Sequence, residues 1–198
     1  MEPIMAQEIE AKILNIDIPS LQEKLVNIGA KKIGEKLFRI TVFDYPGFTL
    51  DQKSSWLRLR DEGDKITMAF KQRLGIKNKE AGDNDAGMEE FEIEVSSFEQ
   101  TKEILFSLGL IEKFSQEKKR ISWEKGEVKF DLDTYPRIPS FLEVEAPNWE
   151  QVDAAILSLG FSLEDKKICS ATQIYTMNGL RDKDYIKMTF QEFIKRPD

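Results

Sequence analysis

The chain has 198 residues, a net charge of −7, 40% hydrophobic and 33% charged side chains, one cysteine and no histidine. That length can bury a sizeable core and suits one large domain or two small ones, while the acidic balance argues against broad nucleic-acid binding and leaves room for a local basic pocket. Cys169 alone excludes an intramolecular disulfide and a cysteine-built zinc centre, and the missing histidines remove the usual general base, the Ser-His and Cys-His nucleophiles and imidazole metal ligands. No run approaches the roughly 20 apolar residues that span a bilayer. The stretch M-E-P-I-M-A-Q-E has no basic segment followed by an apolar one, so a cytoplasmic protein with no membrane contact is expected.

The first strong pattern is Q-E-I-E-A-K-I-L-N-I, residues 7–16, where Glu8, Glu10 and Lys12 alternate with Ile9, Ala11 and Ile13. Residues two apart share a face in a strand, so one face is charged and the other apolar. I-P-S-L-Q-E-K-L-V-N-I-G-A then predicts a helix, with Pro19 in its first turn and Gly29 at its end. Residues 31–45 predict a long extended segment closed by Pro46-Gly47. S-W-L-R-L-R and I-T-M-A-F-K-Q-R predict a hairpin across the turn Asp61–Lys65, and the polar, Gly-rich stretch 74–87 predicts a mobile loop. E-E-F-E-I-E-V alternates again and leads into a helix capped by Ser96 or Ser97 and ended by Gly109.

Three further strands are expected at 118–123, 128–135 and 141–146, followed by a helix over 148–160. The helices ending in I-G-A and S-L-G-L fall at comparable places, which suggests two similar halves. The tail from Thr172 to Phe193 predicts a short strand and a last helix. The domain reading is a main domain at 1–176 and a helical extension at 177–198.

One habit joins the strands. Their charged faces carry Glu8, Glu10 and Lys12; then Arg58 and Arg60; then Lys71, with Arg73 beyond it; then Glu90, Glu92 and Glu94. The last three carry Lys118 and Arg120, then Lys129, Asp131 and Asp133, then Glu143 and Glu145. Either a single antiparallel sheet turns this face to water, or a closed barrel turns it inward beneath an outer layer of helices. Uncharged polar residues are almost absent from the charged face, and the signs segregate by strand, which points to a built site. Clustered Arg and Lys match a polyanion such as triphosphate, and carboxylates nearby suit Mg²⁺ or Mn²⁺ better than zinc or copper.

The ordered series Glu8-Ile9-Glu10-Ala11-Lys12, V-F-D-Y-P-G-F-T-L, S-W-L-R-L-R-D-E-G-D-K-I-T-M-A-F-K, K-K-R and F-D-L-D-T-Y-P-R-I-P-S-F-L-E-V-E resembles the CYTH domain, a branch of the triphosphate tunnel metalloenzymes, over about residues 7–175. The resemblance implies an α+β fold, an eight-stranded antiparallel closed β-barrel with flanking helices. It implies metal ligation by Glu8, Glu10, Glu143 and Glu145 with Asp133 nearby, and triphosphate binding by Lys12, Arg58, Arg60, Lys71, Lys118 and Arg120. It implies Mg²⁺ or Mn²⁺ as cofactor, and Lys12, Glu8 and Glu10 at the reaction centre.

Three departures stand out. M-E-E-F-E-I-E lacks the Arg that many members place ahead of the fifth-strand carboxylates, there is no His-Phe pair ahead of the first strand, and Tyr45 is the nearest counterpart of a water-orienting tyrosine. The implied activity is metal-dependent hydrolysis of a small-molecule triphosphate: inorganic triphosphate, thiamine triphosphate or a nucleotide. The alternative is an adenylyl cyclase releasing cyclic AMP and pyrophosphate from ATP, and a non-catalytic polyphosphate binder is the third option. Without histidine the base is a carboxylate, a metal-activated water or a lysine of lowered pKa. No nucleic-acid partner is expected, and a homodimer stays open, with the tail as one contact surface.

Overall fold

The computed structural model describes residues 9–73 and 88–197. It is a mixed α+β structure with a large, mostly antiparallel sheet and four helices. The predicted strands form β1 (Ile9–Ile13), β2 (Lys31–Asp44), β3 (Ser55–Asp61), β4 (Ile66–Arg73), β5 (Met88–Glu94), β6 (Ile111–Lys125), β7 (Val128–Thr134) and β8 (Phe141–Ala146). The short strand expected in the tail from Thr172 to Phe193 is β10 (Tyr185–Met188), and two further short strands, β9 (Lys166–Lys167) and β11 (Phe193–Lys195), were not expected. Hydrogen-bonded neighbours run in the order β5-β4-β3-β2-β6-β7-β8-β1-β9. Among the described residues no ladder joins β5 to β9, so the expected closed barrel is not closed by hydrogen bonds. The two-residue β9 offers little backbone for closure. The predicted loop at 74–87 lies outside the described residues.

The helices are α1 (Ile18–Asn27), α2 (Phe98–Ser107), α3 (Trp149–Ser158) and α4 (Ala171–Met177). Each starts where a short polar side chain satisfies a backbone N–H that lacks a helical partner. Asp17 accepts from the Ser20 amide at 3.0 Å, Ser97 from Gln100 at 3.3 Å and Asn148 from Gln151 at 2.9 Å. Ser170 and Gln173 form a reciprocal capping box at the head of α4. Gly29 and Gly109 follow α1 and α2 at φ +82° and +85°, a left-handed conformation that a Cβ would strain. No described helix is long and apolar enough to cross a membrane.

The chain divides into two compact units, one built from residues up to Lys36 with Lys119–Asn178, the other from Leu37–Lys118 with the residues from Gly179 on. The long strands β2 and β6 run through both. In the first unit, the apolar faces of β1, β6, β7 and β8 supply Ala11, Ile13, Ile121, Phe130, Leu132, Leu142 and Val144. Leu21 and Leu25 of α1 and Val152 and Ile156 of α3 pack on them. Each of these Ile, Leu, Val and Phe side chains contributes about 1.5–3 kcal/mol by leaving water. In the second unit, Phe43 and Leu59 of the sheet meet Phe98 and Leu105 of α2. The same period-two pleat that buries these residues turns the charged residues of each strand to the other face.

Two local expectations are corrected. β6 starts at Ile111, seven residues before the expected Lys118; β2 is its neighbour in the sheet, and Ser115 and Gln116 gain a parallel partner in β10 as well. The segment 177–198, expected as a helical extension, instead holds a 3₁₀ turn at Asp182–Asp184 and the β10–β11 pair. The Tyr185 and Phe193 rings meet across that pair, their centres 4.4 Å apart and their planes tilted by 60°, an aromatic cross-strand contact.

Candidate functional site

In the first unit, strand register sets the charged face. Lys12 lies opposite Glu143 and Glu10 opposite Glu145 on β1 and β8; Asp131 lies opposite Glu143 and Lys129 opposite Glu145 on β7 and β8; Arg120 lies opposite Asp133 on β6 and β7. Lys12 Nζ is 2.5 Å from Glu10 Oε1 and 3.0 Å from Glu143 Oε2. Only 4% of Lys12 is exposed, and burial alone would lower its pKa. Glu143 and Glu10 outweigh that cost and hold the ammonium above its ordinary value. Lys12 is therefore a fixed cation, and a lysine base of lowered pKa is not found at this position.

Arg120 is the hub of the same face. Its Nε and Nη2 fork onto Asp133 at 2.6 Å each, Nη1 donates to Asp131 at 2.6 Å, and Nη2 also reaches Glu143 at 3.0 Å. Burial opposes its charge, but Asp133, Glu143 and Asp131 hold it firmly protonated. Asp133 is 1% exposed, a burial that a carboxylate tolerates because the guanidinium fork satisfies both oxygens. Burial raises the Asp131 carboxyl, with Arg120 and the Ser122 hydroxyl, 2.5 Å away, pulling it back. Glu145 pairs with Lys129 at 2.8 Å.

The second unit carries the basic cluster. Arg58 Nη2 donates to Glu92 at 2.9 Å and to Glu90 at 3.2 Å, Lys71 reaches Glu90 at 2.7 Å, and Arg60 reaches Glu62 at 2.6 Å. Lys118 and Arg60 both lie over the Phe38 ring, 5.0 and 5.8 Å from its centre. Burial and the neighbouring charge of Arg60 lower the Arg58 pKa, against the pull of Glu90 and Glu92. Among the described residues of this unit, three buried donors have no hydrogen-bond partner, Arg58 Nε, Arg60 Nε and Thr67 Oγ1, while Trp123 Nε1 is a fourth in the other unit. Register places the first three on one face, with Arg60 opposite Thr67 and Arg58 opposite Ala69. Orphaned buried donors cost about 1–3 kcal/mol each unless an acceptor arrives.

The structure thus gathers Glu10, Lys12, Arg120, Asp133 and Glu143 in one unit, with Glu145 beside them, and Arg58, Arg60, Lys71 and Lys118 in the other. Glu8 lies outside the described residues. Tyr45 is 42% exposed. Sequence reasoning passed over Thr67, Ser122 and Glu62. Thr67 and Ser122 could have been found from the period-two rule, since each shares a face with residues already singled out; Glu62, at the turn, carries no such signal. The donor set consists of carboxylate oxygens, which fits a hard divalent cation. Among the described residues no three acidic side chains are placed to hold a metal ion; Asp131, Asp133 and Glu143 instead converge on Arg120.

A family model described as the CYTH domain matches residues 6–174. No curated protein matches the sequence. Among solved structures, PH1012 of Pyrococcus horikoshii OT3 superposes with a TM-score of 0.66 at 22% identity, over 85% of this chain and 99% of that one. A candidate adenylate cyclase from Vibrio parahaemolyticus superposes at 0.68 with 18% identity, over 85% and 97%. A candidate adenylyl cyclase from Hippeastrum, reported to have a dominant triphosphatase activity, superposes at 0.63 with 15% identity, over 90% and 99%. These likenesses describe a shared fold.

Proposed function

The chain belongs to the CYTH family, and from that premise we propose that it is a metal-dependent hydrolase of a small-molecule triphosphate. The observation that carries this reading is the set of orphaned buried donors in the basic cluster, Arg58 Nε, Arg60 Nε and Thr67 Oγ1. An anion with several oxygens supplies acceptors to all three at once, and guanidinium groups bind phosphate in bidentate fashion. In this reading Arg58, Arg60, Lys71 and Lys118 hold the polyphosphate and take up the charge of a loose transition state, where positioning and electrostatics do most of the work.

Glu8, Glu10, Asp133, Glu143 and Glu145 would hold Mg²⁺ or Mn²⁺, which when bound neutralises phosphate oxygens and acidifies water. Lys12 stays protonated between Glu10 and Glu143, so its role is to stabilise negative charge rather than to remove a proton. Arg120 fixes Asp131, Asp133 and Glu143 in orientation and would serve as a further phosphate contact. The proton of the attacking water then goes to a carboxylate, since the chain has no imidazole.

The test is product analysis on purified protein with tripolyphosphate, thiamine triphosphate and ATP in Mg²⁺ or Mn²⁺. Orthophosphate release is expected, with Arg58→Ala lowering kcat/KM by about 10²-fold or more. Cyclic AMP with pyrophosphate from ATP would establish the cyclase alternative instead. Binding with no turnover of any substrate would leave a polyphosphate binder.

A further inference from the structure

The three linked cations of the basic cluster, Arg58, Arg60 and Lys71, are matched one for one by Glu62, Glu90 and Glu92. A polyanion therefore meets a face that is already balanced, and it gains full attraction only where a carboxylate gives way. Glu62 is fixed, 8% exposed and paired with Arg60 in the turn. Glu90 is different. It lies directly opposite Lys71 in the β4–β5 ladder, and its two oxygens are split between two cations: Oε2 on Lys71 at 2.7 Å and Oε1 on Arg58 at 3.2 Å. Its side chain is 32% exposed, twice as open as Arg58 at 16%, so it can swing toward water without leaving a buried charge behind.

We propose that Glu90 is an internal competitor for the anion site: its carboxylate occupies the donors of Arg58 and Lys71 that a phosphate would use, and its charge sets how tightly the cluster takes a polyphosphate. This rests on reading the cluster as the polyphosphate site. Two carboxylate oxygens mimic two phosphoryl oxygens in spacing and charge, which is why one group can stand in for the other on the same donors. Displacing Glu90 brings its negative charge alongside the incoming anion, and that repulsion is a built-in reduction of affinity. The same repulsion disfavours a bare polyanion more than one whose charge is already partly neutralised.

The experiment is calorimetric titration of inorganic tripolyphosphate, with EDTA present, into the wild type, Glu90→Gln and Glu89→Gln. Glu89 lies on the same strand but on its other face, opposite Gln72, so its variant changes net charge identically away from the cluster. Glu90→Gln is expected to bind about tenfold tighter at low salt, with the gain shrinking as salt screens the charges, and Glu89→Gln to stay within about twofold of wild type. Unchanged or weaker binding by Glu90→Gln, beside a wild type that binds, would overturn the inference and make Glu90 a strut that holds Arg58 and Lys71 in place. An equal gain in both variants would also overturn it, since bulk charge would then be the cause. Failure of all three proteins to bind would overturn the site reading itself, and the inference with it.

Discussion

Lys12 shows how one side chain can be read from both directions. Its position on a charged strand face was visible in E-I-E-A-K, but its protonation state was not, because that depends on Glu143, more than a hundred residues away. Its folded pKa lies above the unfolded one, so the stability it contributes is fully present below the ordinary lysine value of about 10.4 and is lost only as pH rises through the higher folded value. Lys12→Met is expected to lower stability by about 1–3 kcal/mol, because it removes the buried cation between Glu10 and Glu143 and leaves Glu143 with Arg120 in its place. That difference should be constant between about pH 6 and 9 and shrink only at strongly alkaline pH. Thermal melts of the two proteins across that range check it; a difference that collapses near neutrality would refute a raised pKa. Cys169 makes a second case. Burial pushes its thiol up, so alkylation at neutral pH is expected to be slower than for a free cysteine by about tenfold, and to approach it only on unfolding.

Elements were legible where local chemistry decides them. The starts of α2 and α3 follow from Ser97 and Asn148, and the hairpin β3–β4 from S-W-L-R-L-R and its polar turn. Asn148→Ala should therefore cost about 1 kcal/mol in urea unfolding while leaving ligand binding unchanged. Leu25→Ala, which removes a fully buried side chain from the α1 face, should cost about 2–5 kcal/mol in the same experiment. Elements fixed by distant partners were illegible. The first half of β6 finds part of its pairing in β10, and beyond α4 the tail adds a second short strand, β11, that pairs with β10. Neither fact has a local sequence signal.

For the molecule, the sequence made the face of each strand readable, and register did the rest. Period-two alternation sorted the charged residues from the core, and ladders such as Lys12 opposite Glu143 and Lys71 opposite Glu90 then decided which charges meet. The two units are not the consecutive halves suggested by the two similar helix endings: each joins separate segments of the chain, and the boundaries fall inside β2 and β6, which no composition shift marks. Because the two units share these strands, the chain is expected to unfold in one cooperative step. Trp56 reports on one unit and Trp123 and Trp149 on the other. Fluorescence of single-tryptophan variants and far-UV circular dichroism should give coincident transitions, and two separated midpoints would show that each unit melts alone.

The register of β3, β4 and β5 also bears on how such a sequence can change over time. Arg60 faces Thr67, and Lys71 faces Glu90, only because every residue between them keeps its parity. Loss or gain of a single residue within β4 would turn Thr67 and Lys71 into the core and bring Met68 and Phe70 out among the charges. Drift in this region is therefore confined to substitution, and differences in length among descendants should collect in the turns between strands.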